Sequence, residues 1–123
     1  MKVRDFSGIK NNGQLPNPED IQLPSEMDDL LGEYIESTES QLNDLEHATL
    51  EYEAGRNREE NAALIRRILH TIKGEAGIVG LDDMYELSHQ AEDAFDEMSE
   101  QERTDMIFRF KDWTLIAIQK LAR

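Results

Sequence analysis

The chain has 123 residues, 38% hydrophobic and 33% charged, enough for one domain with a modest core, and it carries a net charge of −14 and no cysteine. Without cysteine, a disulfide scaffold and a thiolate metal site are excluded. The acidity argues against nucleic-acid and anionic-membrane partners, which require clustered Lys and Arg, and it serves either solubility or the steering of a partner.

Met1–Pro24 differs in kind from the rest of the chain. It holds all three prolines, two of the seven glycines and the run Asn11-Asn12-Gly13, and reads as a flexible N-terminal arm or linker. The first predicted helix starts at Ser25, where Ser25 and Asp28 resemble a capping box. Met27, Leu30, Leu31, Tyr34, Ile35, Thr38, Leu42, Leu45, Thr49 and Tyr52 then recur at helical steps up to a stop at Gly55. The second starts near Asn57, has Ile65, Ile68, Leu69, Ile72, Ala76 and Val79 as its core stripe, and ends at Gly80. Asp82 is expected to cap the third, with Met84, Leu87, Ala91, Phe95 and Met98 inward. Ser99 and Glu102 make a further capping-box pattern. The fourth helix comes next, with a start as late as Thr104 also allowed, and buries Ile107, Phe110, Thr114, Ala117 and Leu121.

Four helices with short connections predict an all-α, antiparallel up-down four-helix bundle over residues 25–123. Leu121-Ala122-Arg123 gives no stop signal, so the sequence reads either as a free-standing protein or as a piece of a longer one. No apolar run reaches the roughly 18 residues of a membrane span, and no apolar signal core opens the chain. A cytoplasmic location is therefore expected.

The stretch His70-Thr71-Ile72-Lys73-Gly74-Glu75-Ala76-Gly77-Ile78-Val79-Gly80 is the most informative. With Ile72 at the centre of the core stripe, His70 falls about 160° away, nearly opposite the core, and Lys73 at about +100°. Ala63, Arg66, Gly74 and Gly77 are its neighbours on the wheel. Gly74 and Gly77 each cost on the order of 1 kcal/mol relative to alanine in an exposed helix. They either begin the helix C-terminus or leave bare backbone over which another protein approaches His70. Lys73 and Arg66 are either ordinary surface cations or a positive flank for the imidazole. On the third helix, with Ala91 at the core centre, Glu92 falls at about +100° and His89 at about 160°. If the two flanks meet, His70, Lys73, Glu92 and His89 line one groove, and Glu92 accepts a hydrogen bond from Nδ1 of His70, leaving Nε2 outward. By the wheel alone Glu92 reads slightly better as a solvated acid, and His89 equally well as a surface residue.

His70, Lys73, Gly74, Ala76, Gly77 and Gly80 resemble the histidine phosphotransfer (HPt) domain, whose pattern is His-x-x-Lys-Gly, then small residues and a further Gly, on the second helix of a four-helix bundle. The chain is most similar to the N-terminal phosphoacceptor domain of chemotaxis-type histidine kinases. There a glutamate 22 residues after the histidine hydrogen-bonds it, and a second histidine lies three residues before that glutamate, as Glu92 and His89 do here. The resemblance covers roughly Met27 to the C-terminus. It implies a phosphotransfer module with His70 as phosphoacceptor, Lys73, Glu92 and His89 tuning it, and Gly74, Gly77 and Arg66 at the docking face. The partners it implies are a histidine kinase catalytic domain, either separate or part of the same polypeptide, and a response-regulator receiver domain. These supply the Mg²⁺ and ATP; the chain is then not an enzyme by itself and holds no cofactor or metal. Glu75 departs from the family's Gly, Ser or Ala, which is expected to change partner preference rather than abolish activity. The 1–24 arm is a second departure. Two rivals remain: a non-catalytic helical interaction or adaptor bundle, for which His70 is dispensable, and an enzyme or metal protein using His70, His89 and Glu92, where Lys73 would repel a cation.

Overall fold

The four amphipathic stretches become four long helices in a computed structural model that describes residues 4–22 and 28–122. They are α2 (Asp28–Glu53), α3 (Arg58–Val79), α4 (Asp82–Glu97) and α5 (Glu100–Leu121), preceded by the single turn α1 (Gly8–Asn11) and a 3₁₀ turn at Pro18–Asp20. No strand occurs among the described residues. α2 packs on α3 and α5, and α4 packs on α3 and α5, while among the described residues the backbones of the diagonal pairs stand farther apart. The four helices thus close a ring around one core. Leu45, Ile65, Leu69, Ile72, Leu87, Phe95, Ile107 and Phe110 meet there with no exposed surface.

The helix ends follow local chemistry. Gly80 ends α3 at φ 81°, a left-handed position that costs glycine nothing, and its N–H returns to the Ala76 carbonyl. At the start of α5 the Ser99 hydroxyl donates to Glu102 Oε1 at 2.8 Å and its backbone N–H reaches the same oxygen at 3.4 Å. α5 therefore begins at Glu100 and not near Thr104. Asp82 is not a cap. It is the first residue of α4, after a buried Leu81 that makes no side-chain cap. Ser25 and Met27 lie outside the described residues.

Leu31, Ile35 and Met98 of the predicted stripes are only partly buried, and two further positions depart from expectation for one shared reason. Leu30 is 47% exposed and Val79 only partly buried. Both line a cavity of about 220 Å³ between α2 and α3, so they face an opening instead of a packed neighbour.

The larger correction concerns the N-terminal arm, which is not a free linker over its described part. Residues 4–22 lie against α4 and α5 and bury Phe6, Ile9 and Ile21. Phe6 meets Trp113 edge to face, with centroids 5.1 Å apart. The Trp113 indole N–H donates to the Pro16 carbonyl at 2.6 Å. The Arg109 guanidinium donates to the carbonyls of Gly8 and Gly13, and Arg4 pairs with Asp83 at 2.7 Å. The residues that read as linker are turn formers. Asn12 takes the left-handed region at φ 58°, Asn11 Oδ1 accepts from Gly13 N, and Asn17 Oδ1 accepts from Glu19 N. A Cβ at Gly8 would lie 2.5 Å from the Gln14 carbonyl oxygen, so the turn closes only on glycine. This cover also accounts for the burial of Trp113, which the predicted stripe of α5 omits along with Met106 and Ile118.

Candidate functional site

The site sits on the groove between α3 and α4. The α3 stripe points Ile68, Leu69 and Ile72 inward, which turns His70 out, its side chain 69% exposed. On α4 the inward Ala91 and Phe95 leave Glu92 on the flank facing α3, 23% exposed. Glu92 Oε2 lies 3.3 Å from Nδ1 of His70, and its Oε1 lies 2.7 Å from Nζ of Lys73. An ionised carboxylate has only acceptors, so in the neutral imidazole this contact favours the tautomer with the proton on Nδ1 and the lone pair on Nε2. The Glu92 interaction, first its hydrogen bond and then its charge, raises the Lys73 ammonium above its ordinary 10.5 against the opposing effect of burial. Lys73 thus stays a cation and holds Glu92 from the side away from the imidazole. The arrangement is an outward nucleophilic nitrogen whose ring is oriented by a clamped carboxylate.

The remaining expected site residues lie nearby with other partners. Arg66 reaches across to Asp96 at 2.7 Å and lies over the Phe95 ring at 5.2 Å, bracing α3 to α4. His89 stacks on Tyr85, with planes 6° apart and centroids at 6.4 Å, and its Nε2 lies 3.7 Å from Asp93. Lys10 of α1 reaches the same carboxylate at 3.7 Å. Gly74 has open space where a Cβ would stand. Gly77 does not. A Cβ there would be 3.3 Å from the Tyr85 ring, so this glycine admits a neighbouring side chain of its own chain. Among the described residues no three His, Asp or Glu side chains converge to hold a metal, and no helix is long and apolar enough to cross a membrane.

Glu75, by sequence only a departure from a family pattern, has a definite place. It faces α2, where Ser37 Oγ donates to it at 3.1 Å and Gln41 Nε2 at 2.7 Å. The sequence signal for this is its wheel position on the flank away from Lys73.

The Hpt domain family matches residues 29–121. A relative, the chemotaxis protein CheA of Halobacterium salinarum, is 36% identical over 88 residues, a span of 67% of this chain and 13% of that protein. The chain thus spans a small part of the length of the relative it matches. No solved structure matches it.

Proposed function

We propose that this chain, which belongs to the Hpt domain family, acts as the phosphotransfer module of a two-component relay, taking a phosphoryl group on Nε2 of His70 and passing it to a receiver-domain aspartate. The observation that carries the reading is the outward His70 with Nδ1 held by the Lys73-clamped Glu92. The Nε2 lone pair attacks the γ-phosphorus of ATP held by a kinase domain, and ADP leaves. The imidazolium charge that develops is shared with Glu92 through the Nδ1–H bond. A receiver carboxylate then attacks the same phosphorus, the N–P bond breaks, and its electron pair returns to Nε2. Mg²⁺, nucleotide and most transition-state stabilisation come from the partner domains, so the chain supplies a positioned nucleophile and is not an enzyme on its own. We infer also that the helices alternate up and down, because connections of residues 54–57, 80–81 and 98–99 leave packed consecutive helices no length to run parallel.

Incubation with a chemotaxis-type histidine kinase catalytic domain and ATP tests the reading. The expected product carries acid-labile, base-stable phosphate on His70 alone, and His70→Gln takes none. Label retained in His70→Gln, or found on His89, overturns His70 as the acceptor, and a wild-type chain that takes no label favours an adaptor role.

A further inference from the structure

His70, Gly74 and Ile78 are spaced by four residues and form one ridge of α3. Ile78 stands roughly 12 Å along the helix from His70, and the position between them is bare backbone. Ile78 is 81% exposed, the most exposed of the large hydrophobic side chains among the described residues. Beside it opens the α2–α3 cavity of about 220 Å³, lined by Leu30, Glu33, Tyr34, Ser37, Glu75, Ile78 and Val79. Its walls are mostly apolar, and its two charged residues are both acids.

Several acids at the bundle surface are neutralised by a cation. Glu46 pairs with Lys111, Asp83 with Arg4, Glu92 with Lys73, Asp96 with Arg66 and Glu100 with Arg58. Among the described residues neither Glu33 nor Glu75 has a cationic partner. Glu75 is instead held in place by the neutral donors Ser37 and Gln41. The hydroxyl of Tyr34, a residue 4% exposed, is buried at the cavity wall with no hydrogen bond of good geometry. Its pKa is pushed up to about 12 by burial first and by Glu75 as well, against a lowering by Thr38. An apolar slot lined by two carboxylates without a cation, of which Glu75 is held in place by Ser37 and Gln41, is complementary to a long methylene stem with a cationic head.

We propose that this slot receives a lysine or arginine side chain of the receiver domain that takes phosphoryl from His70, with the stem against Leu30, Ile78 and Val79 and the head between Glu33 and Glu75. The proposal rests on the phosphotransfer reading and adds to it a specificity anchor on the α2 side of the histidine, opposite the Glu92 groove.

The test uses the whole chain phosphorylated on His70 and, as probe, whichever of a panel of purified receiver domains accepts phosphoryl fastest from the wild type. Glu75→Gln keeps the hydrogen bonding of Ser37 and Gln41 and removes only the charge. Ile78→Ala removes exposed apolar contact with no effect on the core. Each is expected to lower kcat/KM for transfer to the receiver by about fivefold, and Glu75→Lys by about tenfold or more. The Glu75→Gln effect should shrink as salt is raised. Labelling of His70 by the kinase should match wild type in all three, and Glu59→Gln is the charge-matched control elsewhere on α3. Transfer at wild-type rate in Glu75→Gln and Ile78→Ala overturns the slot while leaving the phosphotransfer reading in place. Slowed labelling with unslowed transfer assigns the surface to the kinase and overturns it too. A wild-type chain that takes no label on His70 fails at the first step, and both readings fall together.

Discussion

Glu92 serves two side chains at once, one through each oxygen. Removing it leaves Lys73 unpaired and lets the His70 ring rotate and exchange its tautomers. Glu92→Ala is therefore expected to slow labelling of His70 roughly tenfold, the size of effect seen when an orienting partner of a histidine is lost. It should lower the melting temperature only modestly, since His70 is exposed and a single pair such as Lys73–Glu92 at the edge of the groove contributes about 1 kcal/mol or less. An equal labelling rate would mean that the Nδ1 bond plays no part in the chemistry. The two glycines separate at this scale. At Gly74 a Cβ meets nothing and leucine is a better helix former, so in Gly74→Leu the bundle is expected to stay folded while transfer to a receiver is blocked. A substitution at Gly77 presses first on Tyr85 and so on the His89 stack, and its effect is read in the NMR shifts of those two rings before it is read in transfer. The helical wheel gives the directions of His70, Lys73 and Glu92 because side chains on facing flanks go where their Cβ points. It misses the reach of Arg66 and the stacking of His89, since a wheel gives a direction but neither a rotamer nor a partner across the groove.

At the scale of elements, the four long helices are legible in the sequence because burial on one side enforces a 3.6-residue period over several turns. The 4–22 segment is not. Its packing depends on residues 97 and 101 positions away along the chain, and prolines with Asn-Asn-Gly write the same local pattern in a linker as in a series of tight turns. The segment is held largely through its main chain, with Phe6 as its aromatic anchor, enclosed against α5. Phe6→Ala removes a buried ring whose loss in a bundle core costs roughly 3–5 kcal/mol. Here the segment can lift off instead. The expected result is faster amide exchange over residues 8–13 with α2–α5 protection nearly unchanged. Uniformly faster exchange throughout would show that the segment and bundle unfold as one unit.

For the whole molecule, charge sets the response to conditions. At −14 the folded chain repels itself, so added salt should raise the melting temperature. Alkali should act through Lys73 and Tyr34. Both are raised above their ordinary values of 10.5 and 10.0, Tyr34 to about 12. A raised folded value means that the folded state binds the proton more tightly, so this stability is fully present below about pH 10 and is lost as pH climbs from there toward about 12. Tyr34→Phe should flatten that alkaline loss in a urea titration, and an unchanged pH profile would remove Tyr34 from the account.

The chain holds a single tryptophan, and it does not sit at the centre of the bundle. Trp113 lies where α5 receives the N-terminal turns, its indole at a right angle to the Phe6 ring and its N–H given to the Pro16 carbonyl. Its emission is for that reason a built-in gauge of whether those turns are seated, and not of whether the four helices are formed. Heating while fluorescence and far-ultraviolet ellipticity are followed together should separate the two, with the red shift arriving first. A chain begun at Asp29, the first residue of the family match, would keep every residue of the phosphotransfer site yet start out already red-shifted. It would also carry a newly wetted apolar strip on α5, which makes it the version most prone to self-association.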